Sequence, residues 1–485
     1  MHKHRNKRRL RVQLAFVYTL MGLAVLSILT ILVLVIQGYR YNPFDGKVEQ
    51  GGLVQFNSRP TGATVMVDDV TLANKTASKV TLTAGAHTIT MARDGYGSWK
   101  KEVLVKPGSV LWLNYARLFP NNPKIVTAAN FEGVATALPS PNHKLMAVMP
   151  KSTNPEIAVT SLNDDAPQTN TIVLPASAYT APGDDQAQSF GLESWDKNSN
   201  LLLIRHGYGD KSEYISLDVR DGRARNITAE MGIEIAKVAY SLGDSNVLYV
   251  LTTAHELRRI NLPAATVSGV IAANVADFSI NEERVITYTT LPDDNGTRTA
   301  GYVTQGNLKA KTIATYPLLG DAALRVATGN YYGEHYTVIL HGETLDIMRG
   351  DLPSSDGTDK LTLTKVAGLK IVGSSDYVGF APGNNRIVYA ARAARMVTYD
   401  LELQASATVA LQSPLTRDVQ WLDTYHILAV GQSGYYYDYD GTNGQLFASN
   451  TVDQPATLSE NEKYIYYFTA TPAGTALQRV KLTND

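Results

Sequence analysis

The chain has 485 residues, 44% hydrophobic and 18% charged, a formal net charge of −1 and no cysteine. That length and polarity suit two or three folded domains rather than a disordered chain. The missing thiols exclude disulfides, thiolate zinc sites and cysteine nucleophiles, so an exported form must draw its stability from size and packing. The charge is also unevenly placed: residues 1–120 hold 16 Lys/Arg against 6 Asp/Glu, and the remainder holds 28 against 39. An acidic C-terminal part excludes nucleic acid as its main partner, because phosphate binding needs a basic surface.

The first thirteen residues, "MHKHRNKRRLRVQ", carry six Lys/Arg and no acid, and residues 14–36 follow without a single charge. As a helix, those 23 residues span about 35 Å, enough to cross a hydrocarbon core of about 30 Å. The flanking "QGYRYNPFDGK" holds only Arg40 and Lys47, with Tyr39 and Tyr41 suited to the interface. The positive-inside rule therefore expects a cytoplasmic N-terminus and extracytoplasmic residues 37–485. A cleaved signal peptide would have a shorter apolar core and a small-x-small cleavage site, which "IQGYRYNP" does not offer. The expectation is an uncleaved single-pass anchor at 14–36 after a basic tail (1–13), then a juxtamembrane linker (37–52). The lipid bilayer is thus one expected partner, and the tail's contact with anionic headgroups is secondary.

Residues 53–120 have a period of two. Strand-like runs "LVQF", "ATVMVDD", "SKVTL", "AHTITMARDGY", "WKKEVLV" and "VLWLNYARL" alternate with turns at Gly62, Gly85, Gly95 and Pro107–Gly108. Val65 and Val67 share a face, as do Ile89 with Met91 and Val103 with Val105; Trp99 and Tyr96 are expected to cap the small core. The stretch "SRPTGATVMVDDV" at 58–70 is no phosphate loop: it has one glycine, no lysine, and leads into a strand. Nor does it hold the G-x-S-x-G of a nucleophile elbow. These residues resemble the PEGA domain, a small β-sandwich-like module. The family's P-E-G-A stands here as Pro60-Thr61-Gly62-Ala63; its later segments stand as Ala84-Gly85-Ala86-His87-Thr88-Ile89 and Arg93-Asp94-Gly95-Tyr96. The resemblance implies display at a cell envelope or surface and no catalysis. Thr61 replaces the Glu, while Pro60 and Gly62 keep the corner.

After a linker at 121–129, residues 130–485 repeat. Eight units of polar turn followed by apolar strand begin at Leu138, Glu193, Ala239, Asp277, Thr328, Gly379, Val419 and Ala456, spaced by about 45 residues. That is the length of a four-stranded propeller blade. A second element follows most units, as in "EYISLDVRDGRARNI", "ELRRINLPAATVSG", "MVTYDLELQASATVA", "YYYDYDGTNGQLFA" and "TALQRVKLTND". Each suits the two outer strands of a blade, joined by an Asx or glycine turn. Helical periodicity is absent, so a closed ring is the expected way to protect so many edges. The units "PSPNHKLMAV", "FAPGNNRIVYA" and "LSENEKYIYY" resemble the S-P-D-G-x-x-[IL]-A-[YF] repeat of TolB-type, WD40-like propellers, though most units lack the Pro or the Gly. The fold class is mostly β: one N-terminal transmembrane helix, a small β-sandwich-like PEGA module, then a seven- or eight-bladed β-propeller.

Chemistry-bearing residues are sparse. His335 and His341 share a face of one strand but lie roughly 20 Å apart, too far for one zinc. The "DYDGTNG" at 438–444 lacks the acidic twelfth ligand of a calcium loop and suits a hairpin turn, as does "LPDDNGTRT" at 291–299. Tyr435, Tyr437 and Tyr439 share a face that could meet a sugar or protein but better suits packing between blades. Glycosylation sequons begin at Asn74, Asn226 and Asn295. Neither a local Ser–His–Asp motif nor the S-x-D-x-G-x-x-W box of sialidases occurs. No catalytic, metal or cofactor residue is assigned, and no cofactor is expected. The expectation is a membrane-anchored envelope protein whose non-catalytic propeller binds an envelope protein or glycan. The alternative is a propeller hydrolase of envelope glycans or peptides, with carboxylates gathered at the central mouth.

Overall fold

The computed structural model describes residues 7–36, 38–42, 47–163, 165–183, 186–282, 284–305, 308–318, 323–354, 357–371, 377–411, 414–415 and 417–484. Residues 1–6 of the basic tail, parts of the expected linker at 37 and 43–46, and Glu283 of the fourth repeat unit lie outside them. The chain divides into two compact units, residues 1–122 and 123–485.

In the first unit, α1 (Lys7–Ile36) runs 30 residues, about 45 Å. Its stretch Arg11–Ile36 has a mean hydropathy of 2.8, and every one of those residues is exposed. An apolar helix with no packed face needs an apolar solvent, which is what a lipid bilayer provides. A hairpin follows, β1 (Tyr39–Asn42) with β2 (Lys47–Gln50), pairing Tyr39 with Gln50.

The small β module then forms from β3 (Gly52–Arg59), β4 (Thr64–Val67), β5 (Val70–Thr71), β6 (Ser78–Leu82), β7 (Gly85–Ala92), β8 (Trp99–Val105) and β9 (Val110–Arg117). They make two sheets, ordered β6-β3-β9 and β5-β4-β7-β8, with β3 and β9 parallel. The alternation in the sequence is the sandwich interior: Val54, Phe56, Val65, Ile89, Met91, Leu113 and Trp99 are buried. Trp99 meets Tyr115 edge-on at 5.8 Å. The reversals at Gly62 and Gly95 both have φ of +83°, a conformation that favours glycine.

The second unit opens with β10 (Ile125–Phe131), which begins within the stretch expected to be a linker. Among the described residues, eight four-stranded antiparallel sheets follow one another. Blades 1 to 7 span residues 136–173, 188–226, 235–267, 275–317, 324–370, 377–410 and 420–449, each with its strands in chain order. Blade 8 takes its three inner strands from residues 457–481, and β10 supplies its outer strand, pairing Ile125 with Val480. Thus "TALQRVKLTND" forms a single strand, not the two expected of a blade edge.

Shared apolar cores close the ring. Met149 and Ile157 of blade 1 pack with Ile204 and Leu217 of blade 2. Like contacts join blades 2 and 3, 3 and 4, 4 and 5, 5 and 6, and 6 and 7. Phe447 of blade 7 meets Tyr467 of blade 8, and Phe468 of blade 8 packs with Val148 of blade 1. The architecture is an eight-bladed propeller.

Each repeat unit seen in the sequence is the turn from a blade's first strand to its second. In blade 1, Ser140 Oγ accepts the Leu145 N–H and Asn142 Oδ1 accepts the Lys144 N–H. In blade 8, Ser459 and Asn461 do the same for Tyr464 and Lys463. The glycine position of the motif has positive φ, yet His143 (+58°) and Glu462 (+56°) occupy it. One element was not expected: α2 (Ile227–Met231), capped by Asn226, which accepts the Ala229 N–H, and ended by Gly232 at φ +63°.

Blades 5 to 7 are also bonded through polar groups. Arg386, nearly fully buried, holds Asp400 with two bonds of 2.9 and 2.7 Å and Glu402 at 2.6 Å. The Tyr439 hydroxyl donates to Asp400, and that of Tyr331 to Glu402. Removing one partner of such a buried pair strands the other charge. Arg386→Met is therefore expected to lower unfolding free energy by roughly 3–5 kcal/mol in denaturant titration. Deleting residues 125–131 leaves the edge of Gly474–Lys481 unpaired; it should lower Tm and produce concentration-dependent association in light scattering.

Candidate functional site

The first strands of successive blades approach one another, as at blades 1 and 2, 4 and 5, and 5 and 6, so they line the axis. A cavity of about 300 Å3 opens along them, walled by Lys237, Asp277, Arg325, Tyr377 and Asp418 from blades 3, 4, 5 and 6 and the approach to blade 7. Two bulges aim the first two side chains. The pairing slips between Ile235 and Lys237, and again between Val275 and Asp277, at equivalent places in neighbouring blades. An inserted residue bends the strand and re-aims the next side chains along it.

Asp277 lies between two cations. Lys237 Nζ donates to its Oδ1 at 2.6 Å, and Arg325 Nη1 to its Oδ2 at 3.1 Å. Lys237 also donates to the Phe278 carbonyl at 2.8 Å and lies 5.1 Å from that ring's centroid. Ser279 and Thr287 hydroxyls, 2.8 Å apart, add neutral polar groups to the wall. All three charged side chains remain a third or more exposed, so the ion pairs stay within reach of a ligand.

Asp418 is different. Its side chain is exposed where it lines the cavity, yet the surrounding protein costs the charged form enough hydration to push its pKa up. Bonds from the Val419 N–H at 2.6 Å and the Tyr389 hydroxyl at 3.2 Å oppose the shift without cancelling it. Burial, aided by the Asp418 charge, pushes Tyr389 well up in turn. Glu193, at a third bulge on the first strand of blade 2, is raised by desolvation of its own, against the pull of Arg205. The cavity therefore carries one carboxyl bonded to two cations and a second, Asp418, whose pKa is raised.

The residues weighed in the sequence lie elsewhere. His335 and His341 lie on one strand and pair separately, with Glu282 at 3.3 Å and Asp346 at 3.2 Å. Residues 438–444 form a hairpin turn in which Asn443 and Thr442 donate to Asp438 and Asp440; Asp293 closes the turn at 293–297 in the same way. Tyr437 packs in the core between blades 6 and 7, and Tyr439 reaches Asp400. Of the sequon asparagines, Asn74 and Asn295 are exposed, whereas Asn226 caps α2 and donates to Glu213. At 58–70, Asp68 and Asp69 make a tight turn with φ of +48° and +65°, and Asp68 meets His87 at 2.6 Å. That stretch is a structural corner. No cluster of three or more His, Asp or Glu able to hold a metal occurs among the described residues.

Known proteins resemble each unit. Residues 52–118 match the PEGA domain. The PEGA match covers the two sheets of the small β module, leaves out the β1–β2 hairpin and ends just beyond β9. No curated protein sequence matches the chain. Solved structures of similar fold include the C-terminal WD40 domain of Sif2, at 10% identity and TM-score 0.47, over 74% of this chain and 99% of that one. An oligogalacturonate lyase in complex with manganese matches at 11% and 0.42, over 75% and 98%. The β-propeller domain of Cps50 (Swd1) from Myceliophteria thermophila matches at 9% and 0.41, over 75% and 100%. These likenesses concern fold and carry no ligand or activity to this chain.

The raised pKa of Asp418 makes stability depend on pH. Above its folded pKa the ionised carboxyl is disfavoured relative to the unfolded chain, a cost that fades as pH falls and the proton binds. Asp418→Asn is therefore expected to raise Tm at neutral pH. The gain should shrink on acidification through that pKa, as followed by thermal melts across pH.

Proposed function

We propose that this is a single-pass membrane protein that holds its PEGA module and propeller outside the cytoplasm, with the axial cavity as a binding site for a small polar ligand. The orientation is argued from the six Lys/Arg of residues 1–13, which run into the first turns of α1 ahead of its apolar stretch. The observation that carries the binding reading is the Lys237–Asp277–Arg325 cluster. Its geometry is fixed by two bulges and an ion-pair network, yet it stays accessible in a cavity of ligand size. Lys237 uses two of its three donors on Asp277 and Phe278, and Arg325 has donors beyond the bond to Asp277. A ligand with hydroxyls and a carboxylate suits them, as in an acidic sugar or the terminus of an envelope peptide. Tethering favours modest affinity, since the bilayer already raises the local concentration.

Hydrolysis is the second reading, and one observation favours it. Asp418, whose pKa is raised by the protein around it, and Asp277, bonded to Lys237 and Arg325, line the same cavity, and two carboxyl groups in unlike environments are what a glycosidase uses. Titration of the full chain in nanodiscs with acidic sugars and envelope peptides, followed by calorimetry and mass spectrometry, separates the two. Binding is expected to weaken by roughly tenfold or more, 1.4 kcal/mol, in Lys237→Ala and Arg325→Ala. Unchanged affinity in both variants would sink the cavity as the site. Cleaved product that disappears in Asp418→Asn would establish the hydrolase.

A further inference from the structure

We propose that the edge of the PEGA module beside α1 is a docking surface for the bilayer α1 crosses, meeting anionic phospholipid headgroups. This rests on the reading of α1 as a membrane span.

Backbone hydrogen bonds fix that edge near the end of the helix. The Gly38 N–H donates to the Val35 carbonyl and closes α1. Gly51, after the β1–β2 hairpin, donates to the Gly38 carbonyl at 2.9 Å. Gly108, in the turn between β8 and β9, donates to the Gly51 carbonyl at 2.9 Å, and Leu53 donates to that of Ser109. Each step advances by about one strand spacing, 4.7–4.9 Å, so the β8–β9 turn lies roughly 10 Å from the helix end. The headgroup zone is itself about 5–8 Å deep on each side of the hydrocarbon. A helix whose apolar stretch reaches Ile36 therefore places this edge of the module in or against the headgroups.

The side chains there suit that setting. Val48 is 62% exposed, Leu104 64%, Val110 44% and Trp112 39%, whereas the alternate residues of β9, Leu111 and Leu113, turn into the core. Leu104 and Val110 flank the β8–β9 turn, whose Lys106 is exposed. Apolar side chains with an amphipathic tryptophan and a lysine are the composition that partitions into a membrane interface. Lys106 supplies the positive charge at this edge, in a module whose residues 52–118 hold eight Lys/Arg against four Asp/Glu. The tether to α1 favours lipid over a protein partner, because it brings the edge to the bilayer surface whether or not a protein is there.

The chain has no cysteine, so single labels are unambiguous. Full-length Leu104→Cys, Val110→Cys, Asp94→Cys and Leu23→Cys proteins would carry a nitroxide in phosphatidylcholine vesicles with and without phosphatidylglycerol. Collision with oxygen and with a water-soluble nickel chelate would be read by power saturation. Asp94 lies in the exposed turn at the opposite end of β7 and β8. The expected result is a several-fold higher oxygen-to-nickel ratio at 104 and 110 than at 94, larger with the anionic lipid. Water-like values at 104 and 110 with lipid values at 23 overturn the docking and leave the span intact. Shielding of 104 and 110 from both reagents, in detergent as in vesicles, means a protein covers the edge and also overturns it. Water-like values at 23 remove the span and the docking together. Equal ratios with and without phosphatidylglycerol reject the anionic headgroup as the ligand.

Discussion

No blade of this propeller owns a core. Ile204 and Leu217 of blade 2 are buried only because Met149 and Ile157 of blade 1 lie against them, and the same dependence passes round all eight sheets. A four-stranded sheet has two faces and can bury neither alone, so the cost of ordering each blade is met only when its neighbours are in place. The axis, the cavity on it and the Arg386 network across blades 5 to 7 all follow from that mutual burial. Apolar interleaving sets the spacing of the first strands, and this spacing is what lets Lys237 reach Asp277 from the next blade.

Much of this was legible in the sequence because turns repeat more faithfully than strands. All eight units picked out by a polar turn before an apolar run fall where a first strand passes to a second. The motif looked loose for a physical reason. His143, Ser199, Asn385 and Glu462 take the left-handed position where glycine is usual, and side-chain bonds from Ser140, Asp196, Asn384 and Ser459 hold those turns shut. Strand β10 was less legible. "IVTAANF" has no turn signal of its own, and its partner is distant in sequence. Helix α2 was missed because five residues are too few to establish a period, although Asn226 and Gly232 are the caps a short helix needs.

The candidate site was the least legible part, since bulges leave no mark in composition. Lys237 in "IAKVAY", Asp277 in "VADFSI" and Arg325 in "LRVATG" read as isolated charges in apolar strands. The available signal was positional: three successive first strands each carry one charge near their start, with alternating sign. Asp418 stands just before a first strand, where only the folded chain shows it accepting a bond from Tyr389. The tyrosines and aspartates that attracted attention, at 435–440, serve blade packing and a hairpin instead.

The pairing of β10 with the final strand has a kinetic meaning. Ile125 and Val480 are separated by about 355 residues of chain, and they must meet before blade 8 is complete. Contacts so distant in sequence form late, after much loop entropy has been surrendered. Seven blades can therefore assemble while the eighth waits with an open edge. A chain whose residues beyond α1 cross a membrane in sequence order would keep that edge exposed until residues 474–481 emerged. Ring closure then acts as a length check: truncation anywhere before residue 474 removes the strand that β10 is waiting for.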